Sequence, residues 1–151
     1  MLNDDGDIVR GLGFVALYAA YLEEQIDNLL EILDQVESYD LAKLRWPISR
    51  KIKHAIDVIG RLDVSELPNY TTDLQNCLEL FEERNQLIHG RIYANFNRPE
   101  TLKSGRRNIP DREIQSEELY NLANEFDDFR AAVYRELIFK IPRAVNKYVK
   151  P

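Results

Sequence analysis

Apolar residues recur at alternating steps of three and four along much of the chain, which is the spacing of amphipathic α-helices. The first such stretch predicts a long helix over about residues 8–38. Its apolar stripe contains Leu12, Val15, Ala19, Leu22, Ile26, Leu29, Leu33 and Val36. The stripe keeps nearly heptad spacing for over three repeats, and this pattern suits packing along another long helix.

Three further helices are predicted from the same spacing and from their end signals. The second begins near Pro47, because proline is tolerated in a first helical turn. The third spans about residues 72–88, and Gly90 is expected to stop it by taking the left-handed conformation of a C-terminal cap. The fourth begins near Ser116, a good N-cap residue, and Pro142 should end or kink it before a short basic tail.

The connection between the third and fourth helices, residues 91–115, has a different character. Residues 91–96 predict a short strand, whereas residues 97–99 and 103–106 are typical of turns or flexible loop. Long connections in compact domains are often functional or disordered. We therefore predict an all-α fold of four main helices, with a basic, partly irregular or hairpin-like insertion between helices three and four. The length of 151 residues fits a single domain over residues 1–151.

The composition is that of an ordinary globular protein, with 44% hydrophobic and 30% charged residues. The single cysteine, Cys77, allows no intramolecular disulfide, which fits a reducing compartment. No apolar stretch approaches the roughly 20 residues that cross a bilayer, and the first seven residues are acidic where a secretory signal would be basic. A cytoplasmic protein without membrane contact is expected.

The net charge of −6 argues against a general nucleic-acid coat, but the charge is unevenly distributed. Residues 41–63 and 91–112 each hold six basic and two acidic residues. A basic face of this kind can follow the phosphates of a nucleic acid. The candidates for RNA contact in the insertion are Arg91, Arg98, Arg106 and Arg107. The alternative is that these are solvated surface charges.

Arg84 breaks the pattern of the third helix, because its neighbours three and four residues away are Leu80, Phe81, Leu87 and Ile88. An arginine on the apolar side of a helix costs stability unless it is paired or reaches water. Positions where a sequence breaks its own pattern are enriched for function. The competing interpretation is a structural ion pair with an acidic residue of another helix.

Asn85 and His89 lie one helical turn apart beside this arginine. Histidine can move protons near neutral pH, and an arginine can hold a phosphate through two parallel hydrogen bonds. Asn85 can donate to a phosphate oxygen or orient His89. Glu23, near the apolar stripe of the first helix, is a candidate for orienting Arg84 or His89. The alternative for Glu23 is an ordinary surface glutamate. The alternative for His89 is a histidine that is merely favoured by the negative C-terminal end of a helix.

The run Arg84-Asn85-Gln86-Leu87-Ile88-His89-Gly90 resembles the active-site motif of HEPN-type ribonucleases. In that family an arginine is followed by a polar residue and, after further intervening residues, by a histidine at the end of a helix. The resemblance implies an up-and-down four-helix bundle. It also implies a homodimer in which two motif helices face each other and build one composite site with Arg84, Asn85 and His89 as catalytic residues.

The resemblance further implies a metal-independent endoribonuclease that needs no cofactor. The 2′-hydroxyl of the RNA would act as nucleophile and leave a 2′,3′-cyclic phosphate and a 5′-hydroxyl. Many such proteins are toxins or defence effectors, often partnered by a nucleotidyltransferase-like antitoxin. Two histidines and one cysteine do not make a typical zinc site, so no metal is expected.

Two other classes of function fit the same residues. The chain could be a non-catalytic dimeric helical module that binds RNA, a nucleotide or a protein partner. It could also be a purely structural helical partner. Two histidines that face each other across a dimer would favour the enzyme.

Overall fold

A computed structural model describes residues 1–62, 65, 69–95 and 98–150, with only the backbone of Asn95 and Arg98. The described chain is mostly helical, as the apolar spacing predicts. Its helices are α1 (Ile8–Leu33), α2 (Leu41–Leu44), α3 (Ile48–Ile59), α4 (Tyr70–His89), α5 (Ser116–Phe139) and α6 (Ile141–Val149). Its strands are β1 (Arg91–Asn95), β2 (Arg98–Lys103) and β3 (Arg112–Ile114).

The starts of α3 and α5 confirm the predicted start signals. Pro47 occupies the N-cap position of α3, and α5 begins at Ser116. The first helix is shorter than predicted and ends at Leu33. There the carbonyl of Leu33 accepts from the amides of Val36 at 2.9 Å and Glu37 at 3.1 Å, so a tight turn replaces the continued helix.

The basic tail predicted after Pro142 is itself helical, because residues 141–149 form α6. The chain does leave α5 at Phe139, as expected upstream of a proline, but Pro142 then lies within the first turn of the new helix. The buried residues of α6 are Ile141, Ala144 and Val145. Their spacing of three and four places them on one face, and burial of that face stabilises a helix too short to form alone.

The insertion is a three-stranded antiparallel sheet in the order β1-β2-β3, so the chain is not purely α-helical. Arg91 pairs with Lys103, and Leu102 pairs with both Ile92 and Arg112. The predicted short strand is therefore confirmed over residues 91–95. The predicted turn at residues 98–99 is wrong, since both belong to β2, and Asn97 lies outside the described residues. Backbone pairing with two neighbours overrides the local turn signal.

The chain divides into two compact units, and the single-domain prediction remains a prediction. The first unit comprises Met1–Ala20 and Leu80–Asp127, and the second comprises Tyr21–Glu79 and Asp128–Pro151. In the first unit the rings of Phe81 and Phe126 pack edge to face at 5.2 Å. Other buried apolar residues of this unit include Val15, Leu80, Leu87, Leu102, Ile114, Leu119, Leu122 and Ala123.

The second unit contains a buried cation within an apolar core. Lys51 Nζ lies 2.6 Å from Asp27 Oδ1, and the hydroxyl of Tyr39 donates to the same oxygen at 2.7 Å. The pairing offsets the cost of removing the ammonium group from water. The buried apolar residues of this unit include Leu22, Ile26, Leu29, Leu33, Ile52, Ala55, Ile59, Leu74, Val133 and Leu137.

Gly90 follows α4 for a reason other than the one predicted. It does not take a left-handed conformation; among the described glycines, only Gly6 and Gly105 have positive φ. Instead, β2 lies so close that an added Cβ at Gly90 would be 2.5 Å from Leu102 Cδ1 and 3.1 Å from the Lys103 carbonyl. The absence of a side chain lets the sheet pack directly on the end of α4.

We predict that Gly90→Ala destabilises the protein by about 1–3 kcal/mol, because the new methyl group overpacks the contact between α4 and β2. The matched control is Gly13→Ala, within α1, where an added Cβ meets nothing within 4 Å. That variant should gain about 0.5–1 kcal/mol, since alanine favours the helix. Urea unfolding of both variants measures the difference. Equal stability changes would contradict the close approach at Gly90.

Candidate functional site

Arg84 and Asn85 are coupled on the last turns of α4. The Arg84 Nη1 donates to Asn85 Oδ1 at 2.9 Å, and both residues are half-buried. The Nε of Arg84 is shielded from solvent, and buried Leu80 and Leu87 lie on the same side of the helix. The arginine therefore occupies the apolar side of α4 that the sequence pattern indicates, with a neutral amide beside its guanidinium group.

His89 is the last residue of α4 and is exposed. It lines a cavity of about 520 Å³, and the other lining residues are Arg91, Tyr93, Lys103, Ser104, Gly105, Arg106 and Asp111. Three of these side chains are cations, and one is a carboxylate. The pairing of Arg91 with Lys103 on adjacent strands brings two of the cations together. The cavity can therefore receive an anionic group such as a phosphate beside an imidazole.

The loop after β2 is ordered by Ser104, which is buried. Its hydroxyl donates to the Ile109 carbonyl at 2.6 Å and accepts from the Arg106 amide at 3.2 Å. Gly105, with φ of +66°, makes the turn that an L-residue would resist. Arg106 is also held by α4, since its Nη1 lies 2.9 Å from Glu82 Oε1. The loop therefore places Arg106 in the cavity.

The structure brings only some of the predicted site residues together. Arg91 and Arg106 line the cavity with His89, whereas Arg84 does not, and Arg107 is exposed outside it. The side chain of Arg98 lies outside the described residues. The cavity residues that are not among the predicted site residues are Tyr93, Lys103, Ser104, Gly105 and Asp111. The sequence signal for Ser104 and Gly105 is the turn or flexible loop predicted over residues 103–106, a pattern that by itself indicates no site.

Glu23 is half-buried on α1 and belongs to the second unit. Its predicted role in orienting Arg84 or His89 stays a prediction. Arg112, a further basic residue of the insertion, forms a two-pronged ion pair with Glu118: its Nη1 donates to Oε2 at 2.8 Å and its Nη2 to Oε1. Arg112 is thereby held by a carboxylate of α5, away from the cavity that contains His89.

A second cavity of the first unit is acidic. It encloses about 410 Å³, and its lining residues are Glu83, Glu113, Gln115, Glu117, Glu118, Asn121, Leu122 and Glu125. Burial raises the pKa of Glu83, and the nearby carboxylates of Glu118 and Glu125 raise it further, while Arg112 opposes them. The glutamates come from three separate segments of the chain, so no local sequence pattern predicts this cavity.

Among the described residues, no three histidine, cysteine, aspartate or glutamate side chains converge in a way that could hold a metal ion. None of the described helices is both long enough and apolar enough to cross a membrane. Comparisons of the chain with protein-family models, curated proteins and solved structures found no match.

We predict that Glu83→Gln stabilises the protein at neutral pH. Folding raises the pKa of Glu83, so the protonated carboxyl group is favoured in the folded protein. The contribution of Glu83 to the free energy of unfolding is therefore fully present below the ordinary carboxyl pKa and is lost as the pH rises through the raised value. The gain from the uncharged amide should therefore be largest near pH 7 and fade towards pH 4. Urea unfolding at both pH values measures it. The exposed Glu117→Gln is the control, and an equal gain in that variant would contradict the prediction.

Proposed function

We propose that the chain is an endoribonuclease of the HEPN type that cleaves RNA without a metal ion or cofactor. The observation that carries the proposal is the position of His89, which ends α4 and lines a cavity with Arg91, Lys103 and Arg106. The hydrogen-bonded pair of Arg84 and Asn85 lies one turn earlier on the same helix. Phosphodiester cleavage can use both elements of this arrangement, a proton-transfer group and a cluster of cations that holds the phosphate.

The proposed reaction uses the nucleophile that RNA itself carries. The 2′-oxygen attacks the adjacent phosphorus as its proton passes to a base, and the bond from phosphorus to the 5′-oxygen breaks. The leaving 5′-oxygen takes a proton from an acid, so the products are a 2′,3′-cyclic phosphate and a 5′-hydroxyl. The cations of the cavity hold the phosphate and offset the charge that develops on its oxygens.

This scheme needs one group to take a proton and another to give one, whereas each chain has a single histidine in its motif. A homodimer with α4 near its two-fold axis would supply two His89 side chains to one composite site, since a symmetric interface places like residues opposite one another. It would also let the half-buried Arg84 of each subunit reach the phosphate. The same proposal includes an up-and-down arrangement of the helices α1, α3, α4 and α5. It also includes a role as a toxin or defence effector that is partnered by a nucleotidyltransferase-like antitoxin.

A second candidate function is binding of RNA without cleavage. It is favoured by one observation, namely that Arg84 donates to Asn85 and does not line the cavity of His89. In that case the cationic cavity holds a phosphate, and the motif residues only stabilise the end of α4. The two functions differ in whether His89 is needed for turnover or only for affinity.

The cleavage test compares wild-type and His89→Ala protein on total RNA, in the presence and absence of EDTA. We expect wild-type cleavage that survives EDTA, with 2′,3′-cyclic phosphate ends on the fragments. His89→Ala should lower turnover about 100-fold or more while RNA affinity is retained, because the imidazole acts in proton transfer. Gln75→Ala, an exposed position earlier on α4, is the control and should cleave normally.

Two results would contradict the cleavage proposal. Undiminished cleavage by His89→Ala would remove the imidazole from the mechanism. RNA binding without cleavage by the wild-type protein would favour the non-catalytic candidate.

The basic cavity predicts a difference between two adjacent arginines. Arg106→Gln should weaken RNA binding and lower the slope of log K against log salt by about 0.7, the amount expected for one lost phosphate contact on a single strand. Arg107→Gln removes the same charge from an exposed position outside the cavity, so its effect should be smaller. Salt-dependent binding to a labelled oligoribonucleotide measures both. Equal effects would show that only overall charge matters.

The homodimer has its own test, which uses mixtures of subunits. If one site needs both His89 side chains, co-refolded mixtures of wild-type and His89→Ala protein should lose activity as the square of the wild-type fraction. Independent subunits would instead give a linear loss. Mixtures with Gln75→Ala serve as the control and should show no loss. Sedimentation that finds only monomer at micromolar concentration would contradict the dimer.

A further inference from the structure

A second basic surface lies in the second unit, at the junction of α2 and α3. We call it the Trp46 patch, and it consists of Lys43, Arg45, Trp46, Arg50 and Lys53. Trp46 follows the short helix α2 and directly precedes Pro47, the N-cap residue of α3. All five residues of this patch belong to the basic stretch 41–63. None of them belongs to the site proposed above.

Trp46 is held among three basic side chains. The Arg50 guanidinium carbon lies 3.9 Å from the centre of the indole ring, and the Lys43 ammonium group lies 5.9 Å away. The imidazole of His54 meets the ring edge to face at 5.4 Å. The Arg50 guanidinium group therefore makes a cation–π contact with the indole ring, and Arg50 is still exposed to solvent.

Three cations of the patch are without an ion-pair partner among the described residues. In the part of the chain that the structure describes, Arg45, Arg50 and Lys53 form no ion pair, and all three are exposed. The N-terminus of α3 has neither an acidic residue in its first turn nor a side-chain cap. Its partial positive charge therefore adds to that of the patch.

This combination matches the chemistry of single-stranded RNA. An arginine fork stacked on an aromatic ring can bind a phosphate through two hydrogen bonds and offers a flat surface beside the indole for a base. Two further exposed cations can follow the phosphates on either side. An anionic membrane is the less suitable partner, because an indole that inserts into a membrane needs a free ring face. Here the guanidinium group of Arg50 covers one face of the Trp46 ring.

We propose that the Trp46 patch is a second RNA-binding surface that holds single-stranded RNA. It deepens the proposed function and rests on RNA being the substrate of the chain. The patch would add affinity for longer RNA without taking part in bond cleavage, because its contacts would be equal in the ground state and the transition state.

The test uses Trp46 as a reporter, because it is the single tryptophan of the chain. Full-length His89→Ala protein, which avoids cleavage, is titrated with oligouridylate while the tryptophan emission is recorded. We expect saturable quenching that weakens with salt. The double variant Arg50→Gln/Lys53→Gln should bind about 5–10-fold more weakly and lower the salt slope by about 1.4, at ~0.7 for each lost contact.

A matched control removes two exposed cations of the same unit elsewhere. Lys147→Gln/Lys150→Gln carries the same charge change and should bind with nearly the affinity of the parent. Circular dichroism checks that both double variants remain folded. Equal weakening in the two double variants would mean that only net charge matters, and it would overturn the patch.

Three other outcomes would overturn the patch. One is RNA binding, seen by anisotropy of a labelled oligonucleotide, with no change in tryptophan emission. Another is unchanged affinity in Arg50→Gln/Lys53→Gln. The third is a blue shift of the tryptophan emission on addition of phosphatidylglycerol vesicles, together with no change of the emission on addition of RNA. Wild-type cleavage is assayed separately, so cleavage without quenching removes only the patch, and quenching without cleavage removes only the nuclease.

Discussion

The direct packing of β2 against the end of α4 is the contact on which the candidate site depends. It is possible because Gly90 has no side chain: an added Cβ would lie 2.5 Å from Leu102 Cδ1 and 2.8 Å from the carbonyl of Gln86. The chain passes from the helix into β1 within one residue, so His89 and Arg91 adjoin the same cavity. The pairing of β1 with β2 then adds Lys103 to that cavity.

Charge is segregated within the first unit, and α4 contributes to both of its charged cavities. His89 lines the basic cavity, whereas Glu83 lines the acidic one with four other glutamates. The pairing of Arg112 with Glu118 places one basic residue of the insertion at the acidic cavity. A protein of net charge −6 can thereby present a local positive potential to a phosphate, because nearby charges dominate over distant ones in salt water.

The apolar pattern of a helix indicates which side of the helix is buried, but it does not by itself explain how the cations Lys51 and Arg84 come to be buried or half-buried. Lys51 is a charged residue of α3, yet it is buried and paired with Asp27. Arg84 stands out in the sequence because it interrupts an apolar arc, and it is indeed half-buried beside Asn85. Asn85, which accepts a hydrogen bond from Arg84, is its neighbour in the chain, whereas Asp27, which makes the burial of Lys51 tolerable, comes from another helix.

The sequence by itself determined the features that depend on local hydrogen bonding and helical periodicity. These include the long helices, the starts of α3 and α5 at Pro47 and Ser116, the strand after Gly90, and the position of the Arg84 to His89 motif at a helix end. Only the tertiary structure decided how residues distant in sequence meet. The sheet and α6 form because backbone pairing and burial of one face stabilise segments that are weak alone. The cavity of His89 likewise needs β2 and the Ser104 loop to arrive at the end of α4, and the packing at Gly90 allows that approach.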